Sequence, residues 1–297
     1  MITLATSPPA ISIVTPCLNQ AGTIRRTIES VTGNDHGHIE HIIVDGGSND
    51  GTLEIASEYP GVTVISGLDA GPYDAINTGF KHARGDVFAW LNADDFYLPH
   101  ALDVVARIFD TFDDIRWLTS RYPLTANPDG HVTGAGRIGC YSRDRALRPD
   151  SLRFVRDVPA MMQQESTFWR RDLWDEAGAA LDPQFRLAAD FELWLRFWKL
   201  TEAVALEAPL ACFRQLPDQR SRVHENEYRH EVEAALQLHG ITRAGPIRTL
   251  ARRAALALRG LPQAVLRQCP FAAEQRVVAF NRQSGAWELR LEYAVPA

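Results

Sequence analysis

Four short apolar runs, separated by helical stretches, constrain the first 120 residues of this 297-residue chain more than any other feature. The runs are rich in β-branched residues: Ile11–Thr15, His41–Asp45, Val62–Ser66 and Val87–Leu91. Helical patterns follow them at residues 23–32, 50–59, 73–82 and 99–112. Repeated strand–helix units of this kind predict an α/β fold with a mainly parallel sheet covered by helices.

The composition excludes several classes of protein. Hydrophobic residues make up 45% of the chain and charged residues 23%, which is ordinary for a globular core. No uninterrupted apolar stretch reaches the ~18 residues that a membrane span needs. The net charge of -6 argues against nucleic acid as the main partner.

The N-terminal sequence and the cysteines predict the cellular compartment of the protein. The first ten residues have neither a basic flank nor an apolar run, so we predict no signal peptide. The four cysteines are scattered without a CxxC spacing or a nearby histidine pair, which predicts neither a disulfide framework nor a zinc site. Both observations favour a cytoplasmic protein.

The second half of the chain is less regular. Residues 127–159 are rich in Gly, Pro, Arg and Asp and predict a loop-rich stretch. A helix is predicted at 189–200, and it should be buried because apolar residues lie nearly all round it. Trp194 and Trp198 of this helix are expected in the core. A long helix is predicted at 223–239.

Acidic residues follow three of the predicted strands. Asp45 ends the second strand, Asp69 follows the third, and Asp94 and Asp95 follow the fourth. Ligands of open parallel sheets bind at the carboxyl ends of the strands. Carboxylates that converge on one edge need a cation or a catalytic reason, because like charges repel.

The glycine-rich loop at residues 46–51 does not carry a known cofactor fingerprint. Its sequence, GGSNDG, is not GxGxxG, and the chain has no GxxxxGK[ST] phosphate loop. Taken alone, this loop is best interpreted as a tight turn followed by a helix cap.

Four motifs in sequence resemble the family 2 glycosyltransferases of the GT-A fold. They are Ile11–Gln20 (ISIVTPCLNQ), Ile43–Thr52 (IVDGGSNDGT), Gly71–Gly79 (GPYDAINTG) and Trp90–Asp95 (WLNADD). Their order, spacing and strand context agree with the family over roughly Ile11 to Leu216. The resemblance implies a GT-A domain over residues 1–222, with a nucleotide-sugar half at about 10–120 and an acceptor half at about 121–222. Residues 223–297 are then expected to form a helical C-terminal extension.

The resemblance also implies which residues hold the donor. In the family, the stretch around Pro16 and the residue at Asp45 hold the nucleoside, and the segment from Asp69 to Asn77 lines the donor pocket. The predicted donor-binding residues are Thr15, Pro16, Asn19, Asp45, Gly47, Ser48, Asp69, Gly71, Tyr73, Asp74, Asn77, Asn92, Ala93 and Asp94.

A divalent cation is expected at the fourth motif. Asn92-Ala93-Asp94 matches the DXD element of the family, whose cation bridges the donor diphosphate. Oxygen ligands and a diphosphate suit Mg²⁺ or Mn²⁺. Because Asn92 lacks the charge of the usual Asp, the metal is placed on Asp94, with Asp95 as a helper. The alternative is an Asp pair that only caps the helix starting near Pro99.

A general base is expected in the second half of the chain. The family places this carboxylate at the start of a buried helix, which makes Asp190 the predicted catalytic residue. An N-cap role is the alternative for Asp190. Glu192 is the rival carboxylate, although its spacing favours a pair with Arg196. Gln164 is a candidate on the acceptor side.

A late family element often carries a histidine where this chain has Leu216. His224 could replace it as a metal ligand, although a solvated histidine at the start of a helix is the favoured interpretation. The implied activity is inverting, metal-dependent transfer from a nucleotide sugar, UDP-linked, to a glycan or lipid-linked hydroxyl acceptor. A sugar nucleotidyltransferase and a non-catalytic nucleotide-sugar-binding protein are the alternatives.

The stretch from Ala234 to Ala273 is strongly basic. It contains six arginines and no acidic residue, whereas the whole chain is net negative. A basic amphipathic helix can lie on an anionic membrane surface, which would suit an acceptor carried on a lipid. A solvated arginine face packed on the acidic domain is the alternative.

Overall fold

A computed structural model of the chain describes residues 10–34, 38–141, 143–147, 162–217, 219–242, 258, 261–269 and 272–294. The helices are α1 (Ile24–Thr32), α2 (Thr52–Ser57), α3 (Pro72–His82), α4 (Ala101–Thr111), α5 (Arg143–Ala146), α6 (Arg171–Glu176), α7 (Ala189–Leu200), α8 (Arg220–Val223), α9 (Glu225–Leu238) and α10 (Gln263–Leu266). The strands are β1 (Ile11–Cys17), β2 (Ile39–Asp45), β3 (Val62–Ser66), β4 (Val87–Trp90), β5 (Phe96–Tyr97), β6 (Trp117–Ser120), β7 (Leu124–Ala126), β8 (Val132–Ala135), β9 (Thr167–Arg170), β10 (Val204–Leu206), β11 (Ala211–Arg214), β12 (Ala273–Asn281) and β13 (Ala286–Ala294). A 3₁₀ turn at Gln164–Ser166 precedes β9.

The main sheet has nine described strands in the order β13-β12-β10-β6-β9-β4-β1-β2-β3. Strand β1 lies between β2 and β4, and it is parallel to both. Strand β3 is parallel to β2 on the other side. The carboxyl ends of these four strands therefore share one edge, which confirms the mainly parallel α/β sheet predicted from the sequence.

The loop that follows β4 leads directly into a second sheet. Its order is β5-β11-β7-β8, and β5 begins directly after Asp95. Strand β11 is antiparallel to β5 and brings Arg214 to this loop. Strand β8 and helix α5 lie within the stretch predicted as loop-rich. Residues 142 and 148–159 of that stretch are outside the described residues.

The C-terminal extension differs from the prediction. Helix α9 forms as expected, but a helical extension is wrong for residues 273–294, which form the antiparallel hairpin β12–β13. Strand β12 pairs in parallel with β10, opposite Ala205 and Leu206. Val277 and Val278 are fully buried there, so the hairpin extends the main sheet because it buries apolar side chains at the β10 edge. The division into two domains at residue 222 stays a prediction.

The core agrees with the expectation for α7. Leu193, Trp194, Phe197 and Trp198 are all buried in this helix. Six tryptophans belong to the same apolar cluster, which fills the space between the main sheet and α7: Trp90, Trp117, Trp169, Trp174, Trp194 and Trp198.

The described residues include only part of the chain that bears on membrane contact. Among them, no helix combines the length and the apolar character needed to cross a bilayer. Of the six arginines in the basic stretch, only Arg267 lies in the part of the chain that the structure describes.

Candidate active site

The loops after β1 and β2 are joined directly to each other. The Asn19 backbone N–H donates to Ser48 Oγ at 2.8 Å, and the Asn49 N–H donates to Asn19 Oδ1 at 3.0 Å. Gly46 allows the loop after β3 to approach, because a Cβ at this position would lie 2.8 Å from Asp69 Oδ2. The structure therefore brings three of the predicted donor-binding loops together at the strand ends.

Asp45 holds the loop after β2 in place. Its side chain is fully buried, and its Oδ2 accepts hydrogen bonds from the N–H groups of Gly47 and Ser48 at 3.0 and 3.1 Å and from Ser66 Oγ at 2.9 Å. Burial alone would raise the pKa of Asp45, but the hydrogen bonds from Ser48, Ser66 and Gly47 outweigh it and hold the pKa below the usual value. Asp45 is therefore an ionised carboxylate at the carboxyl end of β2.

Thr15 and Pro16 lie within β1 and not in the loop that follows it. Both are buried, and Thr15 Oγ1 lies 2.9 Å from Nε2 of the buried His41 on β2. The side chain of Thr15 therefore contacts the neighbouring strand, and any donor contact from this stretch would come from the loop that follows it.

Two carboxylates shape the turn into α3. Asp69 Oδ1 accepts the N–H of Gly71 at 2.8 Å, and Asp74 Oδ2 accepts the N–H of Ala70 at 3.1 Å. Gly71 has a φ of 126°, a conformation that side chains other than hydrogen rarely permit. The turn is therefore fixed by local bonds and by a glycine.

Helix α3 is also tied to the segment that leads into α7. Tyr73 Oη donates to the carbonyl of Leu187 at 2.8 Å. Asn77 exchanges two hydrogen bonds with the backbone of Leu181, at 2.9 and 2.7 Å. Both side chains were predicted to bind the donor, and the structure shows that they join the first half of the chain to the segment before Asp190.

The DXD-like loop is anchored from two sides. Thr27 Oγ1 of α1 donates to the carbonyls of Ala93 and Asp95 at 2.9 and 2.7 Å. Asp95 is fully buried. Its Oδ1 accepts a hydrogen bond from the backbone N–H of Arg214 at 2.8 Å, and its Oδ2 accepts one from Asn92 Nδ2 at 3.3 Å. These bonds give Asp95 a role in holding the loop, and its role as a metal helper stays a prediction.

Asp94 is the partly exposed member of the pair. Gln164 lies beside this loop, where its Nε2 donates to the carbonyl of Trp90 at 2.6 Å and its Oε1 accepts Asn92 Nδ2 at 3.5 Å. The structure therefore places Gln164 against the DXD-like loop, and its acceptor-side role remains a prediction.

Glu165, beside Gln164, is a buried carboxyl that the sequence did not single out. Its side chain is 2% exposed, and its Oε1 makes no hydrogen bond within the described residues. Burial, followed by the charges of Asp94 and Asp190, raises the pKa of Glu165. Burial and the charges of Asp94 and Glu165 likewise raise the pKa of Asp95. Glu165 thus lies within electrostatic range of both halves of the site.

Arg214 is a second group that the sequence did not single out. It is 3% exposed, and its Nε and Nη2 have no hydrogen-bond partner within the described part of the chain. Its guanidinium lies 5.7 Å from the centre of the Phe96 ring, within electrostatic range of Asp94 and Asp95. An arginine at the end of an apolar strand (ACFR) was the available sequence signal.

Asp190 lies in the first turn of α7 and is half-buried. The N-cap of this helix is Ala188, and no side chain caps it, so the N-cap interpretation of Asp190 is excluded. Its Oδ1 accepts the N–H of Phe191 at 2.7 Å. Burial raises the pKa of Asp190 to about 6, with the Phe191 bond opposing the shift and the charge of Glu231 adding to it.

The rival carboxylate, Glu192, is occupied elsewhere. It is buried and bonds to Arg196 Nη2 and to His239 Nε2, both at 2.8 Å. The predicted pair with Arg196 is therefore confirmed. His224 is exposed and bonds to Glu227, as expected for a solvated histidine at the start of a helix.

No three His, Cys, Asp or Glu side chains converge as a ready-made metal site within the described residues. Asp94 nevertheless fits the way in which Mg²⁺ is commonly held beside nucleotides, because such a cation takes one or two carboxylates and fills its other positions with phosphate oxygens and water.

A large, mainly parallel sheet flanked by helices, with carboxylates at its strand ends, is the architecture of GT-A glycosyltransferases. The sequence profile described as Glycosyl transferase family 2 matches residues 12–166. The chain belongs to this family, and it is an enzyme. Of the three classes left open by the sequence, this selects the glycosyltransferase.

Curated relatives support the same assignment. An uncharacterized glycosyltransferase of Mycobacterium tuberculosis is 32% identical over 212 residues, which cover 70% of this chain and 76% of the relative. A protein named PGL/p-HBAD biosynthesis glycosyltransferase, from Mycobacterium bovis, is 34% identical over 195 residues, covering 63% of this chain and 69% of that protein.

Solved structures share the fold. Residues 1–349 of S. aureus TarS, solved with UDP-GlcNAc, superpose with a TM-score of 0.60 at 15% identity, over 77% of this chain and 66% of that one. The chain thus spans just under two thirds of the TarS fragment. The mannosyltransferase PcManGT from Pyrobaculum calidifontis, in complex with GDP-Man and Mn²⁺, gives a TM-score of 0.56 at 17% identity, over 89% and 79% of the two chains.

Proposed function

We propose that this enzyme transfers a sugar, with inversion and with the help of Mg²⁺ or Mn²⁺, from a UDP-linked donor to a hydroxyl of a glycan or lipid-linked acceptor. Bacterial polysaccharide or glycan biosynthesis is the setting that the family suggests. The observation that carries the proposal is the connection between the two halves of the chain: Tyr73 and Asn77 of α3 bond to the backbone of Leu187 and Leu181, in the segment that leads to Asp190. This connection supports the assignment of the predicted metal-binding and base carboxylates to one site.

Asp190 is assigned to the acceptor. As the acceptor oxygen bonds to the anomeric carbon, its proton passes to the Asp190 carboxylate, and the bond from that carbon to the diphosphate breaks with its electron pair on the leaving group. A single displacement of this kind inverts the anomeric centre. Because burial raises the pKa of Asp190 to about 6, the carboxylate is a stronger base than an exposed aspartate and is still ionised at neutral pH.

Asp94 is assigned to the cation, which when bound neutralises negative charge on the departing diphosphate. Arg214 is assigned to the same diphosphate, because its buried guanidinium has N–H groups without a partner in the described residues and lies near Asp94. A planar guanidinium is well suited to phosphate oxygens. Asp45 is assigned to the nucleoside, at the carboxyl end of β2.

Release of nucleoside diphosphate from a panel of UDP- and GDP-sugars tests the donor. With Mn²⁺ present and no acceptor, we expect slow release of UDP from one UDP-sugar. Release of GDP instead would contradict the UDP assignment, since a relative of this fold was solved with GDP-Man. Release of pyrophosphate would contradict sugar transfer itself.

Calorimetry of two variants separates the roles of Asp94 and Asp45. In Asp94→Ala, UDP should still bind without metal, but the increase in affinity caused by Mn²⁺ should vanish. In Asp45→Ala, UDP should bind more weakly with and without Mn²⁺. Asp129→Ala, an exposed loop carboxylate, serves as the control. Undiminished metal-dependent binding of UDP to Asp94→Ala would exclude Asp94 as the metal ligand.

Contact with a membrane surface is the remaining part of the proposal. We infer it from the six arginines between residues 234 and 273, a stretch without acidic residues. An enzyme held at an anionic surface would meet a lipid-linked acceptor there.

A further inference from the structure

Glu231 of α9 binds the backbone immediately before α7. Its Oε1 accepts the N–H of Arg186 at 2.9 Å, and its Oε2 accepts the N–H groups of Leu187 and Ala188 at 2.8 and 2.9 Å. Ala188 is the N-cap of α7, and Asp190 follows two residues later. One carboxylate therefore satisfies three consecutive backbone donors, and such charge-assisted bonds are stronger than neutral ones.

The other sides of this segment are held by further elements. Tyr73 of α3 bonds to the carbonyl of Leu187 at 2.8 Å, and Arg220 of α8 donates to the carbonyl of Arg186 at 3.1 Å. The backbone from 186 to 188 is thus fixed by side chains from three helices. Of these three side chains, Glu231 is the one that accepts hydrogen bonds from the backbone N–H groups of residues 186–188.

Helix α9 is itself docked firmly enough to act as a support. Val232 and Leu236 are buried against the main core cluster. At the end of the helix, His239 Nε2 bonds to Glu192 of α7 at 2.8 Å. Helices α7 and α9 are therefore joined at two points, one at the start of α7 and one along its length.

We propose that Glu231 is a positioning residue, which fixes the start of α7 and thereby places the carboxylate of Asp190 against the acceptor hydroxyl. This inference rests on the proposed function, because it assumes that Asp190 is the base. It assigns to the region beyond residue 222, outside the family match at 12–166, a direct part in building the catalytic site. A shift of about 1 Å in a catalytic group is enough to reduce turnover about 100-fold.

The charge of Glu231 gives a readout that a purely structural residue would lack. Glu231 adds to the effect of burial in raising the pKa of Asp190. The other ionisable groups around this part of the site are Tyr73 from α3, Glu165 from the 3₁₀ turn, Arg220 from α8 and Tyr228 from α9. With Glu231 neutral, the remaining groups are unchanged, so the pKa of Asp190 should fall.

The test compares Glu231→Gln with Glu227→Gln, an exposed glutamate one turn earlier on the same helix. In Glu231→Gln we expect kcat to fall about 10- to 100-fold, the KM for the nucleotide sugar to change less than about threefold, and the acid limb of the kcat profile to move to lower pH. The amides of residues 186–188 should also exchange hydrogen faster. Glu227→Gln should match the wild type in every measurement.

A second variant keeps the negative charge at position 231 but shortens the side chain by one methylene group. Glu231→Asp should lower kcat without moving the acid limb, and it supplies the test if Glu231→Gln does not fold. Wild-type kcat in either folded variant would overturn the positioning role. Asp190→Asn separates this from a failure of the proposed function: if Asp190→Asn keeps wild-type turnover, the base assignment is wrong, whatever Glu231 does.

Discussion

At the scale of single residues, the environment of Asp190 determines when the enzyme can work. A base must be ionised to accept a proton, and burial raises the pKa of Asp190 to about 6. Below that pH the carboxyl is protonated, so we expect kcat/KM to fall as the pH drops through about 6 and to be constant towards neutral pH. The pH profile of sugar transfer measures this directly.

Asp190→Asn removes the base while keeping the shape of the side chain and its bond to Phe191. Turnover should fall by about 10²- to 10⁴-fold, as is usual when a positioned base is lost, and UDP should bind with unchanged affinity. The acid limb near pH 6 should disappear from the residual activity. Near wild-type turnover of Asp190→Asn, together with loss of activity in a Glu192→Gln variant that is shown to be folded and to bind UDP, would assign the base to Glu192 instead.

The positions of these residues were predictable, but several of their contacts were not. Strand ends and the start of an apolar helix are visible in the sequence, so Asp45, Asp94 and Asp190 could be located. Tyr73 and Glu231 meet the segment before α7 only after distant parts of the chain pack together, across 114 and about 44 residues. Such contacts leave no local pattern.

At the scale of elements, α7 shows which features a sequence encodes. Its apolar surface and the four-residue spacing of Glu192 and Arg196 predicted a buried helix with an internal ion pair, and both are confirmed. The bond from His239 could not be predicted, because it comes from another helix. The hairpin β12–β13 was missed because its burial depends on pairing with β10, far away in the chain.

The buried pair in α7 should contribute strongly to stability. Burial would raise the pKa of Glu192, but bonds from His239 and Arg196 lower it below the ordinary value. Because the pKa of Glu192 is lower in the folded than in the unfolded protein, the charged carboxylate stabilises the fold above pH 4 to 5. This contribution is lost as the pH falls through the pKa of Glu192 in the folded protein. Glu192→Gln should therefore destabilise the protein by about 3 kcal/mol at pH 7, and by less in acid.

Urea unfolding at pH 7 and pH 4 measures the difference. Glu225→Gln is the matched control, because Glu225 and Arg229 form an i,i+4 pair whose side chains are 42% and 43% exposed. The exposed pair should contribute less than about 0.5 kcal/mol. Equal losses in the two variants would show that burial does not strengthen the pair in α7.

At the scale of the whole molecule, the sequence predicted the class of fold better than the order of strands. Local patterns identified β1 to β4, and parallel pairing followed from the helices between them. The antiparallel position of β9 between β4 and β6 depends on pairing between distant segments. No local pattern specifies such an order.

The uneven charge of the chain leads to a prediction about vesicles. We expect the protein to sediment with anionic vesicles at low salt but not with neutral ones, because each arginine near the surface contributes about 1 kcal/mol. Replacing Arg252 and Arg253 with Gln should lower the partition coefficient about 30-fold. Replacing Arg107 and Arg282, exposed arginines outside the basic stretch, should leave it unchanged. Equal binding to neutral vesicles, or none to either, would contradict membrane contact.

The tryptophan cluster makes the enzyme its own optical probe. Six of the seven tryptophans lie in it, with neighbouring ring centres between 4.9 and 6.2 Å apart. Indoles this close exchange excitation energy, so we expect the emission and the near-ultraviolet circular dichroism of the cluster to be those of coupled chromophores. The carbonyl of Trp90 bonds to Gln164 beside the DXD-like loop. Occupation of the donor site should therefore change the intrinsic fluorescence, and binding can be followed without a label.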